Sequence, residues 1–228
     1  MAIMVALILA ATLIGVADRI SGVAPPIELI AIVGKGAVRP FLIAKYELTK
    51  AQFRCFIRET GYDGSASPSS KSSEPFLNEW RNGSYPKGQD RYPVCNVNWH
   101  HAQAFCEWLA KKSGRPVRLP TDAEWTLAAA GTSGRKYPWG NTWEAGRCNT
   151  ATSADGFAES APVGSFPKGL TPEGVHDMAG NIWEWTADGH LRGGPWCMGP
   201  EAVLCATIAR EDTERCDDKF GLRIAVGR

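Results

Sequence analysis

Residues 174–185 combine oxygen-bearing side chains with a tight turn, the residue types that could bind a hard cation. In an extended segment, the tryptophans on either side of Glu184 point one way and Glu184 points the other, so its charge needs a cation, an arginine or water. Asp177 lies seven residues before Glu184, and the Gly-Asn pair at 180–181 favours a turn. Calcium takes carboxylate and carbonyl oxygens together, so this spacing favours a calcium loop. A buried tryptophan-rich strand with a salt-bridged Glu184 is the alternative.

The composition of the chain limits the class of protein. It has 228 residues, a formal net charge of +1 and 21% charged residues. This near-neutral balance lacks the basic surface that nucleic-acid binding needs, so no nucleic-acid partner is expected. Nine tryptophans, 24 glycines and 15 prolines favour a loop-rich α+β domain, and the length suits one domain.

The N-terminal region separates into two parts. Residues 1–17 are apolar apart from Thr12 and end in small residues, which is typical of a cleaved export signal. An uncleaved membrane anchor and an apolar strand of the fold are the alternatives. Membrane contact is therefore expected only through residues 1–17, and the chain is expected to be extracytoplasmic, either periplasmic or secreted. Residues 18–39 are expected to form a linker and a first strand before the main domain at 40–228.

Capping patterns predict three helices. Each starts at a capping side chain, continues with apolar residues at helical spacing and stops at a glycine. The predicted helices run from Thr49 to about Thr60, from Asn98 to the residue before Gly114, and from Thr121 to Ala130. The histidines at 100–101 are expected on the surface of the second helix, and Cys106 on its apolar face.

The remaining segments are strand-like or irregular. Residues 41–47, 161–166 and 220–225 have the composition of strands. Residues 62–92 show little periodicity and are long for a loop, so they are either a functional lid or a solvated insertion.

All seven cysteines lie after residue 54. Export would permit disulfides, and the odd number leaves at least one thiol without a partner in the same chain. No two cysteines have the Cys-x-x-Cys spacing, so a structural zinc site is not expected.

An ordered set of short motifs resembles one known family. The motifs lie at residues 46–49 (Tyr-Glu-Leu-Thr), 93–99, 118–125, 138–141 (Pro-Trp-Gly-Asn), 177–185, 192–194 (Arg-Gly-Gly) and 221–223 (Gly-Leu-Arg). Their order and spacing resemble the formylglycine-generating enzyme (sulfatase-modifying factor) domain family over about residues 40–226. The resemblance implies a variant of the C-type-lectin fold, which is α+β with little regular secondary structure and often binds calcium.

The resemblance also implies two structural calcium sites. The second site corresponds to the side chains of Asp177 and Glu184 with the carbonyls of Gly180 and Ile182, which matches the loop inferred above from residue chemistry. The first site corresponds to the side chains of Asn149 and Asp155 with the carbonyls of Thr150 and Phe157. The loop between these first-site residues is shorter here than in the family.

The oxidation chemistry of the family does not carry over directly. It uses two cysteines, separated by four residues, that follow Arg-Gly-Gly-Ser, bind copper and activate oxygen to oxidise a substrate cysteine. Here Pro195 replaces the serine, and seven residues separate Cys197 from Cys205. Copper(I) coordination by two thiolates depends on where the sulfurs lie, so this change disfavours formylglycine generation. A disulfide between Cys197 and Cys205, or one with Cys216, is a rival role for these thiols.

The leading functional hypothesis is an exported binding module for a protein or small-molecule ligand. Residues 196–220 would display its variable contact surface on a calcium-braced scaffold. The candidate ligand-binding residues are Trp196, Met198, Glu201, Arg210, Glu211 and Asp212.

Two other functions remain open on the sequence. The alternative is an oxidoreductase of the same family with altered chemistry, in which Cys197, Cys205 and His190 would be catalytic and could bind copper. A solvated loop histidine is the plainer interpretation of His190. The third possibility is an accessory protein held by the N-terminal segment, with residues 65–90 as its contact loop.

Overall fold

The computed structural model describes residues 18–64, 75–152 and 156–227. Three helices and nine short strands occur in these ranges. The helices are α1 (Lys50–Thr60), α2 (Trp99–Ser113) and α3 (Asp122–Ala130). The strands are β1 (Asp18–Ile20), β2 (Ile27–Ile32), β3 (Phe41–Ala44), β4 (Val117–Arg118), β5 (Trp183–Trp185), β6 (His190–Arg192), β7 (Ala209–Arg210), β8 (Phe220–Leu222) and β9 (Ala225–Val226).

The strands form two sheets. The first is antiparallel with the order β1-β2-β3-β9-β4. The second has the order β7-β6-β5-β8, in which β5 and β8 run parallel. Residues 18–39 therefore contribute β1 and β2 to the first sheet, where the sequence predicts a linker followed by one strand.

The capping predictions for all three helices are confirmed. Thr49, Asn98 and Thr121 each accept a hydrogen bond from the backbone three residues on, and a side chain at that position bonds back to the cap. Each helix is followed by a glycine with positive φ, at Gly61, Gly114 or Gly131. These bonds satisfy backbone N–H groups that a helix start would otherwise leave unpaired.

The expectation of surface histidines is wrong for His101, which is 2% exposed. Its Nδ1 accepts a hydrogen bond from the backbone N–H of Asn98 at 3.1 Å, so the imidazole completes the capping box of α2. Its ring centroid lies 4.1 Å from that of Phe76. Burial lowers the pKa of His101 to about 4, so the ring is neutral at pH 7 and acts as an acceptor.

Two segments differ from the predicted pattern. Residues 161–166 form no strand; Val163 and Gly164 instead donate backbone hydrogen bonds to Arg91 and Asp177. In residues 75–92, Trp80 packs edge-on against Phe53 with centroids 6.4 Å apart, so this part of the expected insertion belongs to the core. Residues 65–74 lie outside the described ranges.

The N-terminal prediction falls on residues 1–17, which also lie outside the described ranges. None of the helices in the described part of the chain combines the length and apolar character needed to cross a membrane. Cys106 is buried in the largest core cluster, which confirms the prediction that it lies on the apolar face of α2.

Candidate functional site

Glu184 lies at the middle of β5 and forms a buried ion pair with Arg223. Both side chains are fully buried, and Arg223 donates to Glu184 from Nη2 at 2.7 Å and from Nε at 2.9 Å. The Trp125 indole of α3 donates to the same carboxylate at 2.7 Å. This is the salt-bridged arrangement that the sequence left as an alternative to a cation.

Two further carboxylates share this buried region. Glu47 accepts a hydrogen bond from Asn181 at 2.6 Å through Oε2, but its Oε1 has no hydrogen-bond partner among the described residues. Asp177 accepts one from the Gly164 N–H at 2.7 Å. Burial raises the pKa of Glu47 well above its usual range and raises that of Asp177 to about 6. Three carboxylates interact with the guanidinium of Arg223, but among the described residues only Glu184 forms an ion pair with it.

The two carboxylates without an ion pair and the unpartnered Glu47 oxygen fit a hard cation at the second predicted calcium site. Asp177 and Gly180 both adopt positive φ, 57° and 73°, which turns the loop as the sequence predicts. Glu184 contributes less than expected, because Arg223 and Trp125 already bond its oxygens. The described ranges contain no group of three or more acidic, histidine or cysteine side chains placed to hold a metal ion. A calcium ion here would therefore need the carbonyls of Gly180 and Ile182, and water, as further ligands.

The residues of the first predicted calcium site lie against those of the second. The Asn149 carbonyl accepts a hydrogen bond from the Asn181 N–H at 2.9 Å, and a Cβ at Gly180 would lie 2.1 Å from that carbonyl. The Asn149 side-chain amide donates to the Glu159 carbonyl at 2.9 Å. Thr150 is buried and Phe157 is exposed, and Asp155 lies outside the described residues. The two sets are therefore neighbours, joined at Asn149.

The raised pKa of Asp177 predicts that the stability of the fold depends on pH. In calcium-free buffer, stability is expected to fall as the pH rises from about 4 to about 6, because folded Asp177 keeps a proton that the unfolded chain has released. A shift from 3.8 to about 6 corresponds to about 3 kcal/mol. The fall should appear when the free energy of urea unfolding of Asp177→Asn is subtracted from that of the native chain. Carboxylates that do not interact with Asp177 cancel in this difference. A difference that does not change with pH would contradict the raised pKa.

The three predicted catalytic residues have different surroundings. Cys205 is 1% exposed in an apolar cluster with Trp125, and burial raises its pKa to about 12. Cys197 is partly exposed, and the charged groups that influence it are Lys219, Asp217 and Asp218. No pair of the seven cysteines, all within the described ranges, forms a disulfide, so the expected bridge between Cys197 and Cys205 or Cys216 is absent.

His190 pairs with Asp122, which acts on Arg192, the residue that donates to the Cys205 carbonyl. The Nδ1 of His190 lies 2.5 Å from Asp122 Oδ2, and Thr186 donates to the other Asp122 oxygen at 2.9 Å. The partner of the histidine ring is therefore a carboxylate at the start of α3. The structure shows no assembled histidine–thiolate cluster among the described residues.

The six predicted ligand-binding residues fall in two groups. One loop contains Trp196, Met198 and Glu201. The Met198 carbonyl in this loop accepts a hydrogen bond from the N–H of Ala151, the residue after Thr150 of the first predicted calcium site. The other three lie on or just after the edge strand β7: Arg210 is exposed, Glu211 pairs with Arg215, and Asp212 is exposed.

Comparisons with known proteins identify the family. A model of the sulfatase-modifying factor enzyme 1-like domain matches residues 31–227. The chain belongs to this family. The match confirms the resemblance and begins at residue 31 rather than at about residue 40.

Relatives of this sulfatase-modifying-factor-like chain include proteins named as active and as inactive enzymes. It is 32% identical over 242 residues to the inactive C-alpha-formylglycine-generating enzyme 2 of Bos taurus, covering 83% of this chain and 78% of that protein. It is 32% identical over 201 residues to the formylglycine-generating enzyme of Thermomonospora curvata, covering 68% and 63%. The chain thus spans less than two thirds of the second protein.

Solved structures confirm the α+β fold of the formylglycine-generating-enzyme type. PvdO from Pseudomonas aeruginosa superposes with a TM-score of 0.72 at 21% identity, covering 94% of this chain and 98% of that one. Variable protein 1 of Treponema denticola gives 0.69 at 19% identity, covering 93% and 99%. At these identities the likeness concerns the fold alone.

The structure of this chain also contains a cleft that the sequence did not predict. Its volume is about 470 Å³. Its walls are formed by Lys50, Asn78, Glu79, Gln89, Tyr92, Cys95, Asn96, residues 156–160 and Asp218. Lys50 is 4% exposed; it donates to Gln89 at 2.6 Å and pairs with Glu79. Asp218 also influences the Cys197 thiol, so the cleft lies on the Cys197 side of the molecule.

Asn96 gives this cleft an open hydrogen-bond acceptor. It is 3% exposed and has φ 56°, and its amide nitrogen donates to Asn78 at 2.8 Å. Its Oδ1 has no partner among the described residues. Asparagine tolerates positive φ better than most residues, which is the one local sign that residues 95–98 would turn here. Nothing local reveals that this turn lines a cavity.

Proposed function

We propose that this member of the family is a ligand-binding module and does not generate formylglycine. The observation that supports this most is the different surroundings of the two thiols that follow Arg192-Gly-Gly: Cys205 is packed in an apolar cluster, and Lys219, Asp217 and Asp218 are the charged groups that act on Cys197. Copper(I) needs thiolates, and burial raises the pKa of both thiols. Neither sulfur is prepared to bind a soft metal at neutral pH.

Peptide oxidation and copper uptake test this proposal. The reduced chain and the Thermomonospora curvata enzyme, as positive control, are incubated with copper(I) and a sulfatase-derived cysteine peptide. The control should convert the peptide thiol to an aldehyde, as measured by mass spectrometry, while this chain should leave the peptide unchanged and bind no stoichiometric copper. Aldehyde formation that disappears in Cys197→Ser would overturn the proposal and restore the oxidoreductase alternative.

The proposed ligand site is the cleft beside Cys197. In this cleft Glu79 pairs with Lys50 and Asp218 with Lys219, which leaves the Glu159 carboxylate and the unpartnered oxygen of Asn96 as acceptors. These acceptors favour a partner that presents N–H donors or positive charge. Such a group could belong to a protein or to a small molecule. The exposed side chains of Met198 and Phe157 offer apolar contact nearby on the neighbouring loops.

Arginine amide is a suitable probe for the cleft. Its binding, followed by NMR, should weaken by about fivefold or more in Asn96→Gly, which keeps the turn and removes the acceptor. Asp218→Asn should weaken it similarly, whereas Glu107→Gln, at an exposed acid of α2 outside the cleft, should leave it unchanged. Equal binding by all three variants, or no binding by the native chain, would contradict a donor-binding cleft.

We also propose calcium as a structural cation at the second set, with Asp177 and the carbonyls of Gly180 and Ile182 as its ligands. The buried Glu47 oxygen that has no hydrogen-bond partner among the described residues supports a cation there. Removal of calcium with EGTA should lower the melting temperature, because a ligand bound only to the folded state stabilises it by mass action. Asp177→Asn should melt at the same temperature with or without EGTA. A native chain whose melting EGTA leaves unchanged would refute the calcium proposal.

We propose an extracytoplasmic location on the basis of residues 1–17. Fractionation of cells that express the full chain, with N-terminal sequencing of the product, tests this. A product that starts after residue 17 in the exported fraction is expected, and an intact chain in the cytoplasm would contradict it.

A further inference from the structure

A second recess, separate from the cleft, lies between α3 and the loop after β2. It has a volume of about 490 Å³. Its walls are mainly apolar and include Val38, Leu127, Ala130 and Ile208. Ile208 is 39% exposed, although a β-branched apolar side chain would ordinarily be covered. We call this recess the α3 groove.

Arg192 lies at the base of the α3 groove. It is 1% exposed, and its guanidinium donates from Nη2 to Thr126 Oγ1 at 2.5 Å and to the Cys205 carbonyl at 2.7 Å. The guanidinium carbon lies 5.1 Å from the centroid of the Trp125 ring. Its Nε has no hydrogen-bond partner among the described residues.

Arg223, which is also fully buried, has the Glu184 carboxylate as counter-ion, whereas Arg192 has none in direct contact among the described residues. Asp122 is the acidic group that influences Arg192, but its oxygens already bond His190 and Thr186. A buried charge without a direct counter-ion is costly, and a bound anion would relieve that cost.

The rim of the groove carries a second cation. The Lys35 ammonium donates to the Thr132 carbonyl at 2.6 Å and forms no salt bridge with the described residues. A ligand in the groove therefore meets a cation at the base and another at the rim, with apolar walls between them. Among the described residues, the one carboxylate that lines the groove, Asp122, has both oxygens bonded, to His190 and to Thr186. This distribution matches a molecule with an anionic head and an apolar body.

We infer that the α3 groove binds a small aliphatic carboxylate. The carboxylate would lie beside Arg192 and Thr126, near the first turns of α3, and the chain would lie along Leu127, Ala130 and Ile208. Because Nη2 already donates to Thr126 and to the Cys205 carbonyl, the carboxylate would accept from Nε, which has no partner among the described residues. This site is independent of the proposed ligand cleft, so either can fail without the other.

Octanoate, below its micelle concentration, is the probe, with octanol as the uncharged control of equal chain length. Binding to the intact, folded chain is measured by calorimetry and by chemical shifts of the groove residues. Octanoate should bind, and octanol should bind at least about tenfold more weakly because it leaves the guanidinium unneutralised. Equal binding of the two probes, or no binding of octanoate, would overturn the inference.

A matched pair of variants locates the site without disturbing Arg192. Ile208→Glu puts a negative charge on the groove wall, and Val33→Glu puts the same charge on a side chain that is 72% exposed and outside the groove. Ile208→Glu should weaken octanoate binding about tenfold or more, while Val33→Glu should keep native affinity and both should keep the native melting temperature. Lys35→Met should weaken octanoate binding several-fold. Unchanged binding in Ile208→Glu would place octanoate elsewhere and refute the assignment.

Discussion

The Arg223→Met variant is expected to lose about 3–5 kcal/mol of unfolding free energy, the usual cost of removing one partner of a buried ion pair. Arg223 and Glu184 are both fully buried, so no water can replace the lost guanidinium. The loss also leaves Glu47 and Asp177 without the positive charge that offsets their own burial. Methionine fills similar space, so the effect reports on charge more than on packing.

Urea unfolding measures this loss, and a more exposed pair provides the control. Arg118 donates to both oxygens of Glu124 at 2.6 Å, but 39% of the Arg118 side chain is exposed. Arg118→Met should therefore cost only about 1 kcal/mol or less. The double variant Glu184→Gln/Arg223→Met should be more stable than Arg223→Met alone, because it removes the unpaired charge. An Arg223→Met chain as stable as Arg118→Met would contradict the assigned role of the buried pair.

Trp125→Ala is expected to destabilise the chain by a similar amount, about 3–5 kcal/mol, through loss of a fully buried aromatic side chain. Trp125 packs in a cluster with Cys205 and stacks beneath the guanidinium of Arg192. It also donates its indole N–H to Glu184 at 2.7 Å. One side chain thus links α3 to both buried arginines.

Trp125→Phe separates the hydrogen bond from the packing. It should cost about 1.5–3 kcal/mol, the usual range for a hydrogen bond to a buried charge. The control is Trp108→Phe, because the Trp108 indole also donates to a glutamate, Glu59, but at an exposed site and at 3.2 Å. That variant should cost less than about 1 kcal/mol, since water can replace the lost donor. Equal losses for the two variants in denaturant unfolding would show that burial does not strengthen the Trp125 bond.

The helices show how much of this fold can be predicted from short stretches of sequence. A cap depends on groups three residues apart, so Thr49, Asn98 and Thr121 could be assigned with their stops from the sequence alone. The same pattern did not reveal that His101 supplies the second capping bond of α2. That role depends on burial against Phe76, which belongs to a segment more than 20 residues earlier in the chain.

The sequence predicted which residues form the candidate site, but not which partners those residues contact. The sequence required a cation, an arginine or water at Glu184, and the family resemblance indicated Asp177 and the Gly180 turn. The sequence did not show that Cys205 is buried while Cys197 is partly exposed, because burial of a thiol depends on which elements pack over it. Nor did it reveal the ligand cleft or the α3 groove, whose walls come from segments far apart in the chain.

The sequence by itself determined the helix boundaries, the turn at 180–181 and the need for a partner at Glu184, because these depend on neighbouring residues. Only the tertiary structure decided that the partner is Arg223. The parallel pairing of β5 with β8 places Glu184 opposite Gly221, which brings Arg223, two residues on, to the carboxylate. A Cβ at Gly221 would lie 2.4 Å from the Val94 carbonyl, so this close pairing needs glycine there. The choice of counter-ion is set by strand register, which no local pattern encodes.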